Sequence, residues 1–224
     1  MKLLNNRRIT DYHSSENYFL NSVHDECIDV KGRQIWIHGV KDTDPLYNEG
    51  EEPGVEYQMA ARVIKNLNIL YTSNKKKPVT IHLQTCGGDV VQGLAIYDMI
   101  KAMPFKITII SYTHARSMSS YILQAADERL LMPNSYFMFH DGEMWTGGTM
   151  KQAKSYMEFT EILDKQLEMI YVNSLQKKGK YKNEPVSKLK EILRSNMDKK
   201  EDVYLTAQEA VEWGFADGIF EGFK

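Results

Sequence analysis

From Arg33 onward, short β-branched and aromatic runs alternate with stretches of helical period, and this alternation confines the chain to a small set of folds. Gln34-Ile35-Trp36-Ile37-His38-Gly39-Val40 reads as a strand, ended by glycine and the polar Lys41-Asp42-Thr43-Asp44. Beyond a loop closed by Pro53-Gly54, the stretch from Glu56 to Leu70 places Met59, Val63, Leu67 and Leu70 on one helical face. Lys75-Lys76-Lys77 reads as a solvated turn, and Val79-Thr80-Ile81-His82-Leu83 as the next strand. Gly87-Gly88 then opens a helix from Val90 to Met103, stopped by Pro104, and Ile107-Thr108-Ile109-Ile110 is a third strand. Apolar strands separated by helices of this length pair in parallel and are covered by those helices, which predicts an α/β domain.

The order continues downstream. A helix from about Met118 to Asp127 precedes strands at Arg129 to Met132 and Tyr136 to His140, with Pro133-Asn134 as the turn between them. After Gly147-Gly148, Thr149 is placed to cap a long helix running to about Gln176. Ala153, Met157, Thr160, Leu163, Leu167 and Ile170 line one face of it. Tyr156, Phe159 and Met169 widen that stripe, so the helix either sits in its own core or packs on a second subunit as well. Two more helices are expected near Pro185 to Asn196 and Thr206 to Trp213, with a short strand at Val203-Tyr204-Leu205 between them. Thr206-Ala207-Gln208-Glu209 has the form of a capping box. Residues 1 to about 30 are polar and lack a sustained period, so they read as an extension outside the core, either an arm or disordered, with the domain spanning 31–224.

Composition excludes several functions. Of 224 residues, 28 are basic and 30 acidic, and the net charge of -2 supplies no field to hold nucleic acid or an anionic membrane. No run reaches the roughly 18 apolar residues of a spanning helix, and the opening Met1-Lys2-Leu3-Leu4-Asn5-Asn6-Arg7-Arg8 turns polar before a signal-peptide core forms, which points to the cytoplasm. Cys27 and Cys86 are too few for a disulfide framework and read as reduced thiols. The six histidines are scattered without metal-ligand spacing, and Gly87-Gly88 lacks the pattern of a nucleotide loop. Neither metal nor cofactor is expected.

The chemistry-bearing residues cluster at the carboxyl ends of the expected strands, where α/β proteins gather ligands. Gly87 and Gly88 would bring backbone amides close to a developing oxyanion, or simply form a tight turn. In Tyr112-Thr113-His114-Ala115-Arg116-Ser117-Met118-Ser119-Ser120 a serine at the helix start is either a cap or a nucleophile, although the motif is not the Gly-x-Ser-x-Gly elbow. A serine nucleophile needs a base and a group that orients the base. His140 is the better-placed base and His114 its competitor. Spacing leaves the third member open among Asp198, Asp202, Asp141, Asp127 and Asp217.

From about Arg33 to Phe220 the chain resembles the proteolytic subunit of the caseinolytic protease, ClpP. The resemblance is carried by Ile81 to Gly88, Gly93 to Asp98, Ala115-Arg116-Ser117-Met118, Leu131 to Ser135, Met138-Phe139-His140, Leu205 to Ala210, Trp213-Gly214 and Asp217, in family order. It implies Ser117 as nucleophile, His140 as general base, Asp202 as the residue orienting that base, and the backbone amides of Gly88 and Met118 as the oxyanion hole. It implies the ClpP/crotonase-like spiral of ββα units, with the helix at about 149–177 as a protruding handle joining two stacked heptameric rings. It further implies a serine endopeptidase acting on unfolded or delivered polypeptide, needing no cofactor for hydrolysis. ATP would enter only through an AAA+ unfoldase partner. The competing readings are a catalytically silent ClpP-like scaffold, a phage-type capsid-maturation protease of the same family, a crotonase-type acyl-CoA enzyme and a membrane-bound Ser-Lys peptidase. Departures from the family pattern are Thr85-Cys86 before the glycine pair, Arg116 and Ser119 around Ser117, and Asp141-Gly142 after His140. Residues 1–30 have no match to the family's axial-loop segment.

Overall fold

β-branched runs with one buried face cannot stand alone, and in this chain they join one sheet. A computed structural model gives the fold and describes residues 15–38 and 54–223. The described elements are, in order, α1 (Ser15–His24), β1 (Ile28–Asp29), β2 (Gln34–Ile37), α2 (Tyr57–Ser73), β3 (Val79–Thr85), α3 (Val90–Ala102), β4 (Ile107–Arg116) and α4 (Met118–Gln124). They continue with β5 (Glu128–Leu131), β6 (Tyr136–Phe139), α5 (Met150–Lys177), α6 (Val186–Lys200), β7 (Val203–Thr206), α7 (Ala207–Trp213) and β8 (Gly218–Ile219). The sheet order is β1-β2-β3-β4-β5-β8, with β6 attached to β4 and β7 attached to β6. Among the described residues, pairing is parallel from β2 through β5 and on to β8 and between β4 and β6, and antiparallel only for β1 on β2 and β7 on β6. This is the expected α/β class with a mostly parallel sheet.

β4 is the hinge of the architecture. Its first half, Thr108 to Ser111, pairs with β5, whereas His114 to Arg116 pairs with β6. The strand is therefore ten residues long, six beyond the Ile107–Ile110 expected from the apolar run. Ser111-Tyr112-Thr113-His114-Ala115-Arg116 carries no apolar alternation, and its strand state comes from partners on either side. The core beneath the sheet is dense: Ile35, Ile37, Ile81, Leu83 and Ile109 meet Val63 and Leu67 of α2, all at 0% exposure. At the far end Phe137 stacks on Phe215 with centroids 4.4 Å apart and planes 11° from parallel.

The N-terminal segment departs from its expected place outside the core. Cys27 and Ile28 are buried, Ile28 and Asp29 pair with β2, and Asn66 Nδ2 of α2 donates to Glu26 O at 2.7 Å. A two-residue strand is too short to show a period, which is why the sequence gives no sign of it. The expected loop around Lys41 to Pro53, the strand end at Gly39 and Val40, and residues 1–14 lie outside the described residues.

Local signals account for most boundaries. Thr149 caps α5 through a capping box with Gln152, and Thr206 with Glu209 does the same for α7. Lys75, Lys76 and Lys77 are exposed, in a turn held by Asn74 Oδ1, which accepts from the Lys76 and Lys77 amides. α5 divides in two. Leu167, Ile170, Tyr171, Val172, Ser174 and Leu175 are buried. Its first half instead presents Met150, Tyr156, Met157, Phe159 and Ile162 to the outside.

Candidate active site

β4 leaves the sheet at Arg116, and the chain must reverse within one residue to start α4. That residue is Ser117, with φ 49° and ψ -131°. Positive φ is uncommon outside glycine, and a sparsely populated conformation of this kind costs about 1–3 kcal/mol. Neighbouring groups hold it in place. The Ser117 amide donates to Met138 O at 3.2 Å. Ser119 Oγ accepts from the Arg116 amide at 2.9 Å and donates to Arg116 O at 2.7 Å. Ser120 Oγ donates to Ser117 O at 2.5 Å and also meets Tyr171 Oη of α5 at 2.6 Å. Ser119, which departs from the family glycine, thus has room for its side chain and uses it to bracket the turn.

The register of β6 and β7 brings the other two groups in. Arg116 lies beside Met138 across β4 and β6, and Phe139 faces Val203 across β6 and β7. His140 and Asp202 therefore emerge opposite each other where the β6–β7 pairing ends, next to Ser117. His140 Nε2 lies 2.9 Å from Ser117 Oγ, and His140 Nδ1 lies 3.1 Å from Asp202 Oδ1. With Nδ1–H donating to the carboxylate, Nε2 is left to accept the serine proton. The His140 side chain is 22% exposed and that of Asp202 42%, so both are reachable from solvent. Tyr204 Oη donates to Asp202 Oδ2 at 3.3 Å. Tyr204 follows Asp202 by two residues on the same strand face, a spacing that is itself a signal for such a contact.

The competing candidates sit elsewhere. His114 is buried against the Tyr136 ring, 5.3 Å between centroids. Asp127 accepts from the Ile107 amide at 2.7 Å, and Asp141 pairs with Arg194 at 2.7 Å. Asp217 is paired with buried Arg129 at 2.9 Å and with Lys178 at 3.1 Å. Burial pushes the Asp217 carboxyl up, but Arg129, by hydrogen bond and charge, outweighs it and holds the group at about 2. Asp198 lines the same groove as His140 without bonding to it. That open groove, about 970 Å³, runs past His140 and Asp202 between Gly142–Glu143 and residues 197–201.

The glycine pair is needed where it lies. Gly87 has φ 100°, and a Cβ there would lie 2.7 Å from Ser117 Cβ and 2.8 Å from the Met118 amide nitrogen. Gly88 has φ 139°. Gly93 lets α3 close over Met118, whose side chain would collide with any Cβ at that position. The turn at residues 87–88 thus lies directly against the start of α4, with Gly87 packed on Ser117 and the Met118 amide. Cys86 is a half-buried, reduced cysteine before that turn. Among the described residues no group of three or more His, Cys, Asp or Glu side chains is arranged to hold a metal.

A serine on a strained strand-to-helix turn, bonded to a histidine that is bonded to an aspartate and packed against a two-glycine turn, is the constellation of a serine hydrolase. The chain belongs to the Clp protease family, whose model matches residues 51–222, and is a Clp-type serine peptidase. It is 27% identical over 167 residues to ATP-dependent Clp protease proteolytic subunit 2 of Thermobifida fusca, covering 74% of this chain and 76% of that protein. To ATP-dependent Clp protease proteolytic subunit 1 of Streptomyces avermitilis it is 28% identical, covering 75% and 72%. The ATP-dependent Clp protease proteolytic subunit of Deinococcus radiodurans gives 28% identity, with 75% and 76% coverage.

Proposed function

We propose that the chain is a serine endopeptidase that cleaves unfolded or delivered polypeptide through an acyl-enzyme on Ser117. Ser117 Oγ attacks the peptide carbonyl carbon as its proton passes to His140 Nε2, and Asp202 holds the imidazole in the tautomer that allows this. The oxyanion so formed is met by the Gly88 and Met118 amides. Collapse expels the amine, which takes the proton from His140. Water then repeats the sequence, releasing the acid and restoring Ser117. The observation that carries this reading is the pair of hydrogen bonds, 2.9 Å and 3.1 Å, that already link the three side chains. No cofactor enters these steps.

The same reading places the protomer in a self-compartmentalised homo-oligomer of two stacked heptameric rings, in the cytoplasm, served by an AAA+ unfoldase. Supporting it are the exposed apolar side chains on the first half of α5 and the relatives' names, which describe subunits of an ATP-dependent protease. Among the described residues no helix is long and apolar enough to cross a membrane. Intact mass after treatment with a fluorophosphonate tests the mechanism, read together with peptide turnover. Wild type is expected to gain one adduct and Ser117→Ala none, with turnover down by about 10⁴-fold or more. Near-normal cleavage by Ser117→Ala would overturn the reading. An unlabelled wild type would point instead to a silent scaffold.

A further inference from the structure

The oxyanion amide of Gly88 belongs to a two-glycine turn, the most flexible backbone a chain can offer. An amide that stabilises a developing charge must be aimed beforehand, because reorienting it during reaction consumes the stabilisation it provides. Something must therefore restrain residues 87–89 from outside the turn.

Gly54 and Val55, immediately before α2, supply that restraint. The Val55 amide donates to Gly87 O at 2.5 Å, and the Asp89 amide donates to Val55 O at 2.9 Å. Together these form a parallel bridge between Val55 and Gly88. In parallel pairing the two bonds flank the central residue and turn its own N–H toward the opposite edge. Here the flanked residue is Gly88. Contact is close along the whole strip: a Cβ on Gly88 would lie 2.5 Å from Val55 N and O, and one on Gly54 would lie 2.8 Å from Gly87 O. Residues 54–55, 87–88 and 116–118 are thus three backbone layers in contact, with Ser117 in the third.

The strip is anchored at its other end. Val55 is 2% exposed. Glu56 caps α2 by accepting from the Met59 amide at 2.6 Å and the Gln58 amide at 2.5 Å. Met59 and Ala60 then bury the first turn of the helix. Burial of that first turn therefore fixes Glu56, Glu56 fixes Val55, and Val55 fixes the Gly88 turn.

We propose that the main chain of Val55 is a positioning element of the peptidase, a backbone strap that holds the Gly88 amide in the orientation that receives the oxyanion. This rests on the reading of Ser117 as nucleophile. The strap makes its bonds through the main chain, so only changes that remove the N–H or displace the backbone should disable it.

The test measures kcat and KM for a fluorogenic peptide, and thermal melting, for Val55→Pro, Gly54→Ala, Val63→Ala and Ser117→Ala beside wild type. Val55→Pro removes the N–H, and Gly54→Ala pushes a methyl group onto Gly87 O. Each is expected to lower kcat by about 10- to 100-fold with KM changed by no more than about twofold, the pattern of a lost transition-state contact. Val63→Ala, a packing change on the same helix, is expected to lower the melting temperature and leave kcat within about threefold of wild type. Should Val55→Pro fail to fold, Gly54→Ala decides alone. The strap is overturned if both strap variants keep kcat within about threefold, or if Val63→Ala loses as much kcat as they do. A fully active Ser117→Ala would instead overturn the reading beneath it, and a dead Ser117→Ala with fast strap variants removes only the strap.

Discussion

Ser117 shows how a side chain becomes reactive through what its neighbours do. Its backbone is strained, and the strain is carried by two serines with no part in the bond-breaking steps. Ser119 is the more telling one, because its buried hydroxyl satisfies both the amide and the carbonyl of Arg116. Removing it leaves two main-chain groups without that partner, at a cost of about 1–3 kcal/mol. Ser119→Ala is therefore expected to lower the melting temperature and to slow phosphonylation of Ser117, as the turn relaxes away from positive φ. Unchanged melting and an unchanged labelling rate would show that the turn is held by other means. At this scale Ser117 and His140 were legible as residue types in a suggestive order, whereas the aspartate was named by the family resemblance and not by spacing. Physically, Asp202 is set apart from Asp198 by the register that places Phe139 opposite Val203, and spacing along the chain does not contain that register. Val55 carries no sequence signal for the same reason, since it acts through a long-range pairing rather than a motif.

Among the elements, those with a strong period or a cap were readable: α2, α5, α7 and the apolar strands lie close to where their patterns put them. Those defined by partners were not, as β1 and the second half of β4 show. His82 illustrates how three strands are clasped by one polar residue on an apolar run. It stacks on Trp36 of β2 with centroids 4.9 Å apart. Its Nε2 lies 2.7 Å from Gln34 Oε1 of β2, and its Nδ1 lies 2.8 Å from Tyr112 Oη of β4. An amide oxygen accepts only, so Nε2 carries the proton, and in the neutral ring, which burial favours, Nδ1 accepts from the phenol. Burial lowers the His82 pKa. The folded state thus takes up this proton less readily than the unfolded chain, whose histidine titrates near 6.5. The stability contributed by neutral His82 is present above about pH 6.5 and declines as pH falls below it. Denaturant titrations at pH 7.5 and 5.5 should show wild type losing stability over that interval and His82→Phe losing less. Equal losses in both proteins would assign the pH dependence to other groups.

For the whole molecule, the sequence left open whether the long helix serves its own core alone or packs on a second subunit as well, and the fold divides that helix in two. Its second half is core, and its first half is an apolar surface that a lone protomer leaves in water. In the assembly proposed above, this exposed apolar face is the contact between subunits. Met157 is 51% exposed and Ile162 53%, so charging them costs the isolated protomer about 0.5 kcal/mol or less each. Between subunits the same charges would be buried without partners, at a far larger cost. The Met157→Asp/Ile162→Asp double variant is therefore expected to keep its melting behaviour as a protomer while sedimenting at a smaller mass than wild type. An unchanged sedimentation mass would show that this face is not the contact. The double variant is also expected to lose peptidase activity, for a reason that connects the scales. α5 continues without interruption from the exposed half to Tyr171, whose hydroxyl meets Ser120, and Ser120 holds the carbonyl of Ser117. A helix released from its partner transmits that freedom along its length to the nucleophile turn, so activity should fall together with assembly, and should return when assembly is restored.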